Sequence, residues 1–465
     1  MKKSSLWIAI VLLASSLQLS AFGIASAAAP LEIPTAAPAA MPLLRDITDV
    51  KGNHALDKNG VLWEWQEGEY IASPVLDRVK GFAKGNIAVR TDGTVWEWEP
   101  DGNKRVQPKQ TAGLSDIASV YSGHLAIDRK GDVWWWGKLA ADYRLGHFDL
   151  SRDQPGRERP EKVPGLTHIT TIEKLGGSFY ALDQAGRVWG WGFDRISNAY
   201  PIGKSAENIQ TISTGLAISK DWKVLQLDLS SVPVYDFSFD LSDVSAQITE
   251  VSSALDWFRS DYSYVVKKDG SLWTWYDIRG LGDVFKLHPV KNVTGVKKAV
   301  SKTMAAGTVL HLDGTVSSWE GGLNDRKLSD KLADGDPVGA YPIQPIKVRQ
   351  APGIRVNGEL WVLPAPPQVY AGRVYVPVRG LMEQLGGSVT LVGDEIVIRF
   401  GDKRISLTVG SNVAQIDGTT FILDDPPQVW RNRTLIPLKF AGEALGGEVR
   451  WDAGKHEVVM EWKGQ

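Results

Sequence analysis

Seven histidines, at positions 54, 124, 147, 168, 288, 311 and 456, have the widest chemical reach of any residues in this chain of 465. A zinc or copper site needs imidazoles at short spacing, such as i, i+2 or i, i+4. No two of these stand so close, and each reads as a satisfied or exposed side chain. The chain has 0 Cys, which removes thiolate nucleophiles, Cys-type zinc sites, iron–sulfur clusters and disulfides together. No Gly-x-Ser-x-Gly elbow, phosphate loop or dinucleotide fingerprint occurs. Two carboxylates from distant strands can converge without a linear signature, which leaves a glycosidase-type acid pair open at this level. The pair Asp424-Asp425 directly precedes Pro426-Pro427 and reads as a solvated turn. No catalytic, metal-binding or cofactor-binding residue is assigned, no cofactor is expected, and binding is favoured over catalysis.

Charge names no partner either. The 52 Lys and Arg against 54 Asp and Glu give a net charge of -2, without the basic excess that nucleic acid or an anionic membrane would attract. The 19 Trp are out of proportion, and their spacing shows why. Asp57-Lys-Asn-Gly60-Val-Leu-Trp63-Glu-Trp65 recurs as Thr91-Asp92-Gly93-Thr-Val-Trp96-Glu-Trp98 and as Asp128-Arg-Lys-Gly131-Asp-Val-Trp134-Trp-Trp136. Further copies end at Trp191, Trp275 and Trp319, and a degenerate one, Ala217 to Leu227, has Leu in place of both tryptophans. From Gly60 to Gly314 six intervals give a mean period of about 42 residues. Each copy predicts a strand, a glycine turn and a returning strand. Because strand residues alternate faces, the two tryptophans of a copy share one face and the preceding Val or Leu takes the other. Trp135, between Trp134 and Trp136, must face the opposite way, and burial is expected there too. The Asp-x-x-Gly and Asp-Gly segments lack the acidic series of a calcium loop and are turns.

The residues ahead of each copy repeat a Pro-x-x-Val-x-Gly-Leu-x-x-Ile theme, as in Pro160-Glu-Lys-Val163-Pro-Gly165-Leu-Thr-His-Ile169. Together with Trp136-Gly137 leading to Leu145-Gly146, and Trp191-Gly192 leading to Ile202-Gly203, these repeats resemble the regulator of chromosome condensation family. That resemblance implies a seven-bladed β-propeller over residues 43–350. Nucleotide exchange on a nuclear GTPase, the family's eponymous activity, conflicts with the export signal described below.

A second duplication follows. Pro366-Pro367-Gln368-Val369 recurs as Pro426-Pro427-Gln428-Val429, and Leu385-Gly386-Gly387 as Leu445-Gly446-Gly447, both offset by 60. Each half predicts a strand ending at Pro and a helix with apolar Val378, Leu381, Met382 and Leu385 at i, i+3, i+4 and i+7. Gly closes the helix, and a hairpin follows over Ser388 to Phe400 or Glu448 to Trp462. Arg433-Thr-Leu-Ile-Pro437, Glu443-Ala-Leu-Gly446 and Val449-Arg-Trp451-Asp452 resemble the copper amine oxidase N-terminal-like, or stalk, domain of exported Gram-positive proteins. Copper in that enzyme family belongs to a separate catalytic domain, and this module holds only His456. The implied role of residues 353–465 is accessory or attachment. The expected fold class is mainly β: a propeller followed by a small α+β domain built from a duplicated strand-helix-hairpin unit.

Met1-Lys2-Lys3, the apolar run Leu6 to Leu13 and Ala25-Ser26-Ala27 have the layout of a secretory signal over residues 1–27. Residues 28–42, rich in Pro and Ala, read as a tether. No later run suggests a membrane span. Three functions fit: a non-enzymatic secreted or cell-envelope scaffold binding a protein or cell-wall glycan, a secreted inhibitor of an extracellular enzyme, or a carbohydrate-active enzyme or lectin. The long polar segments Lys138 to Arg159 and Phe193 to Lys204 are candidate contact loops, since long loops on rigid scaffolds often carry function.

Overall fold

A computed structural model describes residues 41–462, except 67, 102–103, 138–156, 176–177, 193–199, 202–206, 214–215, 227–234, 241–247, 256–259, 279–287, 304–305 and 320–343. The architecture is mainly β, with many small antiparallel sheets and few helices. Between Ile47 and Gln350, seven sheets follow one another among the described residues, each with four antiparallel strands in chain order, and the first gains Arg349–Gln350 as a fifth strand parallel to Ile71–Leu76. The first comprises Ile47–Lys51, His54–Asp57, Leu62–Glu64 and Ile71–Leu76. The opening strands of the others are Val79–Ala83, Ile117–Tyr121, Ile169–Leu175, Ile209–Ser213, Ile248–Leu255 and Val296–Thr303. All seven opening strands carry a one-residue register step after their first pair, so the bulge is part of the repeat.

The turns explain the repeat chemistry. Asp57 accepts the backbone N–H groups of Asn59 and Val61 at 2.8 and 2.9 Å through one carboxylate oxygen, and the Trp63 indole N–H at 3.0 Å through the other. Asp128 does the same for Trp134, and Asp183 for Trp189. Where the acid sits next to Gly, a hydroxyl relays the contact: Trp96 donates to Thr94 Oγ1 at 2.9 Å and Thr94 to Asp92 at 2.6 Å. The acidic turn residues thus hold the first indole of a copy. The second is packed away, with Trp65, Trp98 and Trp136 all buried.

The turn glycine also fastens one sheet to the next. Val79 N donates to Gly60 O, Ile117 N to Gly93 O, Ile169 N to Gly131 O, Ile209 N to Gly186 O and Val296 N to Gly270 O. Ile47 N donates to Gly314 O at 3.1 Å, so the first sheet is fastened to the seventh in the same way. At Gly131 φ is +83°, and an added Cβ would lie 2.7 Å from His168 Cα. Both the left-handed backbone and the close approach therefore demand glycine. Gly131→Ala is expected to lose about 2 kcal/mol or more of stability in urea unfolding. Gly418→Ala, at φ +81° with nothing within 4 Å of the added carbon, should lose only about 1 kcal/mol. Equal losses would mean that the fastening contributes nothing. In the degenerate fifth copy Trp222 occupies the glycine position, at φ 66°.

Apolar burial lies between sheets rather than within them. Trp63 and Trp65 of the first sheet pack with Val300, Leu310 and Val316 of the seventh, while Leu62 packs with Val79 and Phe82 of the second. The shared face of the two tryptophans is therefore as the alternation predicts. Trp135 is buried with Ile169 and Phe179 of the fourth sheet, while Trp134 and Trp136 pack with the second, so Trp135 does face the other way.

The C-terminal module shows the predicted duplication. Helices α1 (Val378–Gln384) and α2 (Leu438–Ala444) each follow a proline N-cap and end before a positive-φ glycine, Gly386 or Gly446. One sheet takes strands Arg373–Pro377 and Arg433–Pro437, one from each half, as its central pair. Both predicted hairpins are present. Not foreseen from the sequence, the first hairpin extends through Lys403–Thr408, Val413–Ile416 and Thr419–Ile422 into a five-stranded sheet. The second pairs in parallel with Gly353–Val356.

This module is packed onto the first two sheets. Arg355 bridges Glu457 of its own module and Asp77 of the first sheet, at 3.0 and 3.2 Å. Gln107 donates to Leu360 O at 3.0 Å and accepts from Val362 N at 2.9 Å, a two-sided clamp on one short segment. Val362 is buried against Trp98 and Leu76.

Candidate functional site

The opening strands place a polar set of side chains on a common register. At the first paired position past each bulge stand Asp49, Gly81, Ser119, Thr171, Thr211, Glu250 and Lys298. Two residues further on stand Lys51, Ala83, Tyr121, Glu173, Ser213, Ser252 and Val300. Between these positions Val50, Phe82, Val120, Ile172, Ile212 and Ala299 turn the other way and are buried between sheets. Alternation has thus sorted apolar groups to one set of positions, while the other set is mostly polar in residue type, with Ala83 and Val300 buried between sheets.

Hydrogen bonds step from sheet to sheet near these positions. Lys298 of the seventh sheet pairs with Asp49 of the first at 2.9 Å, and Thr308 Oγ1 donates to Gly52 O at 2.9 Å. Lys51 Nζ donates to Phe82 O of the second sheet at 2.8 Å, and Lys80 Nζ to Ile117 O of the third at 2.7 Å. Tyr121 OH donates to Thr170 O of the fourth at 3.3 Å. The Glu173 carboxyl feels the ammonium groups of Lys51, Lys84 and Lys298, so charges from the first, second and seventh sheets act on one carboxyl of the fourth. Burial pushes Glu173 up to about 7, against the pull of those three cations. Lys84 is exposed by area, yet desolvation by the protein around it outweighs the attraction of Glu173 and holds its ammonium below the usual lysine range. Such a set can receive an anionic group, and at neutral pH its one shared carboxyl is near its titration midpoint.

A second buried polar cluster joins the first two sheets. Arg105, 4% exposed, donates to Ser73 O at 3.0 Å and stands 3.5 Å from Glu64, with His54 3.6 Å from Glu64 on another side. Both separations from Glu64 are longer than hydrogen bonds. Burial alone would raise the Glu64 carboxyl, but the His54 and Arg105 contacts outweigh it and hold Glu64 at about 2. Glu97 of the second sheet repeats the arrangement, accepting the Trp136 indole N–H at 3.0 Å with His124 at 3.3 Å.

Among the histidines, His147 lies outside the described residues, and His54 and His124 contact the carboxylates of Glu64 and Glu97. His311 bonds Thr294 O and Ser317 Oγ, at 3.1 and 2.8 Å. Among the described residues no group of three or more His, Asp and Glu could hold a metal ion. Asp424 is exposed as expected, whereas Asp425 is half-buried and ion-paired with Arg373. Most of the candidate loops Lys138 to Arg159 and Phe193 to Lys204 lies outside the described residues. These charges sit singly on separate repeats and so leave no period in the sequence. Aligning the seven opening strands would have exposed the polar register.

Residues 355–460 match the family model of the copper amine oxidase N-terminal domain. No curated protein matches the chain. Among solved structures it is similar to Prp20p from Saccharomyces cerevisiae, at 15% identity and TM-score 0.38 over 57% of this chain and 74% of that one. Human WBSCR16 is similar at 14% identity and TM-score 0.41, over 69% of this chain and 92% of that one. YCF48 from Cyanidioschyzon merolae is similar at 12% identity and TM-score 0.37, over 62% and 97%.

Proposed function

We propose that this chain is an exported, non-enzymatic binding protein. In this reading its seven sheets are the blades of one seven-bladed propeller over residues 43–350, and its axial lysines receive an acidic segment of an extracellular protein. Residues 1–27 would direct export, 28–42 would form a tether, and 353–465 would be an accessory module fixed to the first two blades. The observation that carries this reading is the convergence of Lys51, Lys84 and Lys298 with Glu173 from four different sheets. Lys298 is paired with Asp49, and the three ammonium groups around Glu173 together supply the attraction. An inhibitor of an extracellular enzyme is one form such a protein would take.

Crosslinking the mature chain on intact producing cells, beside its Lys84→Glu variant, tests the proposal. A specific protein partner should be captured by the parent, and its yield should fall about tenfold or more in the variant and with added salt. Equal capture by both chains, or robust glycosidase turnover by the purified protein, would overturn it.

A further inference from the structure

The two halves of the C-terminal module are not equivalent on their outer faces. In the first half Pro364 covers α1 so closely that a Cβ on Gly380 would lie 2.6 Å from its ring, and the neighbouring Val362 is buried against the propeller sheets. In the second half the corresponding positions hold Asp424, Phe440 and Ile422, and the surface is open, with Ile422 74% exposed. A cavity of about 540 Å3 lies there, between α2, the Glu448–Asp452 strand and the Arg373–Pro377 strand. That volume is within the range of small-ligand pockets.

The substitutions between the halves have a direction. Leu391 of the first hairpin corresponds to Trp451 of the second, Thr390 to Arg450, Pro364 to Asp424 and Gly380 to Phe440. The hairpin turn is also longer: Val392 pairs with Glu395 in the first half, but Asp452 with Glu457 in the second. The added residues bring His456 against Trp451, with ring centroids 5.0 Å apart and planes at 82°. This fixes an indole that is 46% exposed at the cavity. His456 Nε2 is buried there without a hydrogen-bond partner, and desolvation lowers the imidazole below its usual range.

We infer that this cavity is a saccharide-binding site, with Trp451 as the platform for a pyranose ring and Asp424, Arg450 and Glu443 as partners for its hydroxyls. A held aromatic face matches the C–H face of a sugar, and charged side chains spaced around the wall match a ring of hydroxyl groups. The walls also carry aliphatic Val369, Val374, Ile422 and Val449, which an extended apolar peptide would use, but the duplication has exchanged Leu391 and Pro364 for the aromatic Trp451 and the acidic Asp424, which favours the sugar. This inference stands apart from the axial reading, and either can fail alone.

The test uses the full mature chain titrated with chitotetraose and, separately, cellotetraose, followed by calorimetry and tryptophan fluorescence. Saturable binding of at least one is expected below about 10 mM. Trp451→Ala should weaken it about tenfold or more, Trp451→Phe should retain part of it, and Lys84→Glu should leave it unchanged. Circular dichroism checks that the variants stay folded, and Asp424→Asn, on an exposed side chain, gives an independent loss of affinity if Trp451→Ala does not fold. Absence of saturable binding to both sugars, binding unaffected by Trp451→Ala in a folded protein, or saturable binding of an apolar extended peptide in their place would overturn the assignment.

Discussion

Arg105→Ala is expected to lower the stability of the chain by about 3–5 kcal/mol, because it removes the partner of a buried charge rather than a surface ion pair. The guanidinium is 4% exposed and stands 3.5 Å from Glu64, whose carboxyl it helps to hold at about 2. Without it Glu64 remains ionised between sheets with only His54 beside it. The sign of the pH dependence follows. A carboxyl held below its unfolded value of 4.5 stabilises the fold above that value and loses the contribution as pH falls toward 2. Arg105→Ala weakens the hold, so the acid limb of unfolding should move to higher pH. Removing both charges, as in Arg105→Met with Glu64→Met, should recover most of the loss. Urea unfolding of the parent, the singles and the double closes the cycle, and a double variant as unstable as the sum of its singles would exclude the charge explanation. Since Arg105 N also bonds Pro364 O at 3.2 Å, limited proteolysis around residues 351–365 should accelerate in the same variant if the backbone shifts.

The fold was legible wherever a feature recurs. Glycine turns such as Gly60, Gly93 and Gly131 are visible because backbone conformation and close approach both fix the residue type, and the tryptophans because they alternate with a fixed period. Strands Lys403–Thr408, Val413–Ile416 and Thr419–Ile422 have no counterpart in the second half of the module and so gave no repeat to read. The docking of the module was hidden for a different reason. Gln107 and Leu360 lie 253 positions apart, and nothing local to either announces the contact. The axial charges fall between these cases: Lys51 and Glu173 occupy one register position, but each is a single residue against Ala83 or Ser213 elsewhere. Packing must be shared by all repeats, whereas a binding surface needs repeats to differ, so its residues carry no period.

Glu173→Gln should separate the burial cost at that surface from its attraction to cations, through a pH dependence that most surface carboxylates would not show. The folded-state carboxyl titrates at about 7, raised above 4.5 by burial, while Lys51, Lys84 and Lys298 pull it down. Between those values the folded chain keeps a proton that the unfolded chain has released. The contribution is therefore fully present below about 4.5, declines as pH rises toward 7, and has gone above it. Glutamine resembles the protonated form and does not titrate. The two chains should be equally stable at the acidic end, with Glu173→Gln gaining steadily through the window to an advantage of about 2–3 kcal/mol, and a constant difference beyond. Paired urea unfolding at several pH values from about 4.5 to 8 measures this difference, and other titrating groups cancel between the chains. A flat difference across the window would mean that the axial space is wetter than the burial of Glu173 implies. Binding should follow stability across pH: removing the carboxylate takes away the negative charge set among Lys51, Lys84 and Lys298, so an acidic partner should bind Glu173→Gln more tightly, most clearly above pH 7, where the parent carries the competing negative charge. A variant both more stable and weaker in partner capture would place the partner away from the axis.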